Sequence, residues 1–305
     1  MVDQIHPGNI PMGQITPNVN PGKVKTPNPL EKYFRQPKFY IQLPSKGNWY
    51  PEGTLSLSTD NELAVYPMTA RDEVAFKTPD ALLNGQSTVD VIKSCCPGVK
   101  DPWLLPTIDL DSILVAIRMA TYGDRLSIKS KQPGSNDDKE FDVDLKMIID
   151  KFGQADYKSE VEVGDVKITI RPQSYREFTR TAMKTFEEQR IYQTVNSSEL
   201  TDDQKMEKFN ASFKVLTSIT LDIVKNGIVQ IQAGDDIVND RNHINEFIDK
   251  ADKNFFTAIT DHVDTQRKQF QLEPIKVQST EDEIERGAPA TYEVPIVFDQ
   301  AAFFG

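Results

Sequence analysis

The 305-residue chain has only two cysteines, Cys95 and Cys96, and they are neighbours. Adjacent cysteines seldom bridge to one another, and two thiols cannot complete a four-ligand thiolate centre. A disulfide scaffold and an iron–sulfur cluster are therefore excluded as organising devices. Histidine is almost as scarce, with His6, His243 and His262 making up the whole set. No run approaches eighteen apolar residues, so no membrane-spanning helix is expected. The start, MVDQIHPGNIPMGQ, lacks a basic flank followed by an apolar stretch, so no secretory signal is expected either. Basic residues fall short as well, 35 Lys and Arg against 46 Asp and Glu, for a formal net charge of −11. Wrapping nucleic acid needs a basic face, and none stands out. What remains, with 38% hydrophobic and 27% charged residues, reads as a soluble intracellular chain with enough apolar content for a core.

Proline is plentiful in one place. Pro7, Pro11, Pro17, Pro21, Pro27, Pro29 and Pro37 fall in residues 1–37. Proline removes backbone donors and fixes φ, so this arm reads as extended, either loose or laid across a partner. Strand-like alternation begins at FYIQL, and TLSLS at residues 54–58 and ELAVYPM at residues 62–68 add two more candidate strands. Between them PSKGNWYPEG sets Trp49 and Tyr50 among turn residues. Thr69 and Asp72 have capping-box spacing, and Ser87 or Asp90 is placed to cap a helix that stops at Pro97–Gly98. Leu110, Ile113, Leu114, Ile117 and Thr121 recur at helical spacing up to Gly123 and predict a core helix. Residues 129–140 read as polar and turn-like, FDVDLKMIIDKFG as a strand or short helix, and Val166, Ile168 and Ile170 as a strand.

Beyond residue 172 the pattern turns helical. Ser174 with Glu177 opens a stripe of Tyr175, Phe178, Ala182 and Phe186. Thr201 with Gln204 opens another of Met206, Phe209, Phe213, Leu216, Thr220 and Ile223, ended by Asn226–Gly227. IVQIQ is a brief strand, and helical patterning resumes through Ile244, Phe247, Ile248, Phe255, Ile259 and Val263. The chain thus divides into the arm (1–37), a mixed β/helical region (38–171), a mainly helical region (172–270), and an acidic loop with a β-like tail (271–305). The fold class is α+β: a small antiparallel sheet with covering helices, then helices, then the tail. The ending AAFFG leaves Phe298, Phe303 and Phe304 to dock on the protein's own core or on another chain.

Catalytic signatures are missing. There is no GxSxG elbow, phosphate loop, GxGxxG or HExxH. His243 and His262 have carboxylates at helical spacing, but two histidines define no metal pocket. Cys96 precedes Pro97 at a helix end, where nothing activates a thiol. Acidic clusters at Asp235, Asp236 and Asp240 and at residues 281–285 lack calcium-loop spacing. No catalytic residue, cofactor or metal is expected.

One long stretch carries a resemblance. KFYIQLPSKGNWYPEG, then AVYPMTARDEVAFKTPDALLNGQSTVDVIKSCCPGVKDPWLLPTIDLDSILVAIRMATYG, resembles the baseplate hub assembly proteins of T4-like contractile-tailed bacteriophages. The order of elements is maintained across residues 38–123, and EFDVDL and EVPIVFDQAAFF are similar to larger members. Residues 1–37 and most of 172–270 carry no such likeness. Some members have cysteine pairs near the positions of residues 129–140 and 271–292, suggesting small metal knuckles. This chain has none there, so the resemblance implies turns held by packing or by a subunit contact.

The resemblance implies a morphogenesis factor, or assembly chaperone, for the central hub, acting in the host cytoplasm through other hub or tail proteins. It leaves open a structural component retained in the virion and, more remotely, a tail-tip cell-wall hydrolase. No nucleic-acid or membrane partner is implied. On this reading Trp49, Tyr50 and Trp103 are candidate interface anchors, against the alternative that they roof the core. Asp80 in TPDALLNG, Phe303 and Phe304 complete the candidate contact set.

Overall fold

The computed structural model describes residues 28–77, 85–131, 138–197 and 200–296. The chain divides into two units, Met1–Arg35 and Gln36–Gly305. In the first, the described residues include a short 3₁₀ turn at Glu31–Tyr33, with no buried side chain.

The second unit is α+β, as the patterning predicts, with small antiparallel sheets among helices. It begins with β1 (Phe39–Gln42) and β2 (Glu62–Val65), paired antiparallel with Ile41 opposite Leu63. The segment at residues 54–58 is not a third strand. It makes one bridge, Leu55 to Val99, because Gly98 lies against it: Ser56 N–H donates to the Gly98 carbonyl at 2.8 Å, and a side chain at 98 would strike the Ser56 carbonyl. Helix α1 (Ala70–Phe76) opens on the expected Thr69–Asp72 capping box. Helix α2 (Gln86–Cys95) starts earlier than Ser87, after Gly85 in the left-handed region (φ 77°). A Cβ at Gly85 would sit 2.9 Å from the Tyr175 hydroxyl, so glycine is needed there for conformation and for space. Ser87 donates to the Ala75 carbonyl and ties α2 to α1.

Helix α3 (Thr107–Tyr122) is the centre of the first core. The expected stripe is there, but Val115, Ala116, Met119 and Ala120 are buried too, so the helix is covered nearly all round. Its neighbours are the β1–β2 pair, α2 and the helix at Leu145–Gln154, and both cysteines are buried in the same cluster. The chain then forms β3 (Arg125–Lys131), β4 (Asp138–Asp144) and α4 (Leu145–Gln154): residues 129–131 and 138–140 are strand where polarity suggested a turn, and FDVDLKMIIDKFG ends a strand and supplies a helix. One sheet face is solvated, so β3 reads as polar without ceasing to be a strand.

The second core is built on a four-stranded antiparallel sheet ordered β5–β6–β7–β8: β5 (Glu160–Val163), β6 (Val166–Ile170), β7 (Ile228–Ala233) and β8 (Asp236–Val238). The sheet joins strands on both sides of the position where the pattern changes character. Between the adjacent strands β6 and β7 the chain makes a long excursion, α5 (Tyr175–Ser197) and α6 (Asp202–Gly227), which pack on each other. Both open on the expected capping boxes: Ser174 with Glu177, and Thr201 with Gln204. Ile168 and Ile170 of β6 meet Ile228 and Ile231 of β7, covered by α7 (Arg241–Lys250) and α8 (Lys253–Gln269) through Ile244, Ile248 and Ile259.

The chain continues through β9 (Ile275–Gln278), α9 (Glu281–Glu285) and β10 (Thr291–Val294), with β9 and β10 antiparallel. Described residues from the two cysteine-free stretches meet here. Lys139 of β4 pairs with Glu283 of α9 at 3.1 Å, and Phe141 contacts Tyr292 of β10 edge-on. Packing between two hairpins holds these segments together.

Candidate functional site

The loop bearing Trp49 and Tyr50 is pinned from below by one carboxylate. Asp109, on the first turn of α3, is fully buried and accepts from Ser45 N–H at 2.7 Å, Ser45 Oγ at 2.6 Å and the Tyr50 hydroxyl at 2.9 Å. Those bonds pinch residues 45–50 into a tight turn with Lys46, Gly47 and Trp49 at positive φ (55°, 80° and 71°). A tryptophan in the left-handed region is uncommon and is retained only where neighbours over-determine it. Burial pushes the Asp109 carboxyl up to about 6, against the lowering effect of its three donors. Burial, then the nearby Asp109 carboxylate, raises the Tyr50 phenol well above its ordinary value.

Tyr50 is thus half-buried on the first core, with its hydroxyl bound inside the protein. Trp49, also half-buried, meets Tyr157 edge-on at 6.3 Å. Trp103 packs on the first core and stacks on Tyr175 at 5.6 Å. Its outer edge helps line a shallow pocket with Arg176, Arg180, Met183 and Lys184 of α5. The three aromatics are each held by a specific neighbour, and the structure does not gather them into one patch. Asp80, Phe298, Phe303 and Phe304 lie outside the described residues.

The surface that sequence reasoning passed over is on α5 and α6. Their stripes have the spacing of core faces, yet Phe178, Phe186, Met206 and Phe213 are exposed, Phe186 by 57% and Phe213 by 71%. Phe178, Thr220 and Ile223 line one cavity, so the two stripes look to the same side of the helical pair. Helical spacing continues that face outward through Ala182 and Phe186 on α5, and through Leu216, Phe213, Phe209 and Met206 on α6. The outer helical pair has no third layer among the described residues. Among the described residues Phe186 and Phe213 of these stripes therefore stay exposed, while Phe209 and Leu216 are half-buried.

At its inner end the face runs into an apolar cavity of about 370 Å³, with Leu110, Ile170, Val263 and Phe270 among its walls. Four charged side chains also line it: Asp111, Arg171, Asp264 and Arg267. Arg171 makes a bidentate pair with Glu177 (2.6 and 2.9 Å). Burial works against the Glu177 charge, but the Arg171 guanidinium and Ser174 outweigh it and hold that carboxyl down at about 2. Arg267 pairs with Asp264 at 3.2 Å. Asp111, half-buried, has no hydrogen-bonding or ionic partner among the described residues, and burial alone pushes its carboxyl up to about 7.

The remaining polar candidates are placed as surface or structural groups. His262 Nε2 lies 2.8 Å from the Lys158 carbonyl, and His243 is exposed beside its helix-capping Asp240. Among the described residues no three His, Cys, Asp or Glu side chains gather as a metal site. No helix among them is long and apolar enough to cross a membrane.

Among the described residues, an α+β body thus presents an exposed apolar helical face and no cluster of metal-ligating side chains. Residues 38–286 match the family described as T4 bacteriophage base plate protein, and the chain belongs to that family. The match starts where the hub-protein resemblance starts and also takes in residues 172–270, where no likeness was legible by eye. No match is found among curated proteins or among solved structures.

Proposed function

We propose that this baseplate protein acts in building the central hub, as a factor needed for tail morphogenesis, through protein–protein contacts and without turnover of a substrate. The observation that carries the reading is the uncovered apolar face of α5 and α6. Contiguous exposed apolar surface rimmed by polar residues is a mark of a protein interface. Fully desolvated aromatic anchors dominate such interfaces, and Phe186 and Phe213 are placed to become buried there. Partners are other hub or tail proteins, met in the host cytoplasm during assembly. Trp49 and Trp103 are secondary contact candidates, each rigidified by its neighbour and so inexpensive to order on binding.

The test is recovery of hub complexes from infected cells with a Phe186→Glu/Phe213→Glu variant, beside Trp49→Ala and Asp80→Ala. The proposal expects hub complexes and finished tails to be lost with the double variant while its melting transition is unchanged. Full recovery with the double variant would sink it. Quantitative mass spectrometry of purified particles then separates a transient factor, absent or substoichiometric, from a retained subunit present at fixed stoichiometry.

A further inference from the structure

The uncovered face has a shape and a charge that specify its occupant. The α6 stripe from Met206 to Ile223 extends over about 25 Å at 1.5 Å per residue, the length of a helix of about 17 residues. The face is made by two helices whose backbone groups are bonded internally, so it offers no edge to an extended strand. A strand laid there would bury its own amides and carbonyls without partners, a cost a helix avoids. At the inner end Asp111 is the one cavity-lining charge left unpaired by the described residues, after Arg171 joins Glu177 and Arg267 joins Asp264. An occupant that seals the cavity must neutralise that carboxylate or leave it desolvated.

We propose that the α5–α6 face and the cavity at its base receive an amphipathic helix of another baseplate protein, whose Lys or Arg pairs with Asp111. This rests on the assembly reading above and names the chemistry of the partner. The protein's own ends do not meet the requirement. Residues 297–305, VFDQAAFFG, contain no basic side chain, and residues 1–27 carry Lys23 and Lys25 among five prolines that forbid a helix. A second copy docking by the same face fails as well. The residues of the stripe, Phe178, Ala182, Phe186, Met206, Phe209 and Phe213, bring apolar surface but no cation.

The test places the photocrosslinker p-benzoylphenylalanine at 186 and at 213 in the full chain, during infection. Both positions are exposed, so the fold tolerates the change. Cross-linked peptides are sequenced, and the partner segment is then made as a synthetic peptide. Its affinity is measured for the wild-type chain and for Asp111→Asn and Asp111→Lys, each first shown to be folded at the assay pH by a cooperative melting transition above the assay temperature. The expected result is a helical peptide of another baseplate protein with a Lys or Arg, bound at least about tenfold more weakly by Asp111→Lys. Swapping that basic residue to Glu restores binding to Asp111→Lys. Cross-links only to a second copy or to the protein's own ends, no cross-link at either position, or affinity indifferent to the charge at 111 overturns the proposal. A basic helix from a baseplate protein outside the hub sustains the docking site and overturns the hub assignment alone.

Discussion

Replacing Asp109 with alanine tests how the Trp49 loop is held. The carboxylate is fully buried and accepts two hydrogen bonds from buried Ser45 and one from half-buried Tyr50. The two Ser45 donors are buried with the carboxylate and lose their acceptor outright. Each buried donor left without an acceptor costs about 1–3 kcal/mol, so the variant loses about 2–5 kcal/mol. The pH dependence has a definite sign. The folded-state carboxyl is raised to about 6, above about 3.9 in the unfolded chain. Its contribution is therefore fully present below about pH 4 and is lost as pH rises through 6, and about 1.4 kcal/mol of it disappears between pH 5 and pH 8. Urea unfolding of the wild type and Asp109→Ala at both pH values reads this directly. The expected cost is about 2–5 kcal/mol at pH 5 and about 1.4 kcal/mol less at pH 8. A cost under about 1 kcal/mol at pH 5, or one that grows with pH, refutes the account of the loop.

Leu114→Ala, at the centre of the first core, is expected to cost about 2–5 kcal/mol by denaturant unfolding; under 1 kcal/mol would contradict the central place given to α3. Phe213→Ala, by contrast, is expected to stay within about 0.5 kcal/mol of wild type, because the side chain is exposed, and a larger loss would mean that the protein already covers this face. Gly85→Ala is expected to destabilise by about 1–3 kcal/mol, since a left-handed φ and the Tyr175 hydroxyl both oppose a methyl group there; an unchanged melting temperature would contradict that contact. Asp111→Asn should flatten the fall in stability between pH 5 and pH 8. The wild-type carboxyl, raised to about 7 by burial, favours folding when protonated and loses that contribution as pH rises through 7. Unfolding midpoints of both proteins at the two pH values check it, and an unchanged slope contradicts the burial of Asp111.

Elements whose signals are local were legible in the sequence. The Thr69, Ser174 and Thr201 capping boxes and the apolar period of α3 all appear where spacing places them. Elements defined by partners were not. The residue 54–58 segment alternates like a strand, but Gly98 brings a different neighbour against it. β3 looks like a turn because one of its faces meets water. The exposed apolar face was half visible. Its stripes were readable, but periodicity reports that a face is apolar and is silent on whether anything covers it. On the long excursion between β6 and β7, Phe186 and Phe213 are exposed among the described residues. Asp109 and Asp111 were not singled out, because the helical run shows only two carboxylates two residues apart, beside Ser112 and Arg118. Only the fold separates the one that anchors a loop from the one without a partner among the described residues.

The central claim is that the α5–α6 face is where this baseplate protein meets its partners. The most direct measurement is complementation: cells infected with phage lacking this chain are supplied with wild type or with Phe186→Glu/Phe213→Glu, and completed tails are counted by electron microscopy. The account predicts wild-type folding and abundance of the variant with few or no completed tails. Tails completed at the wild-type level by a folded double variant would contradict it.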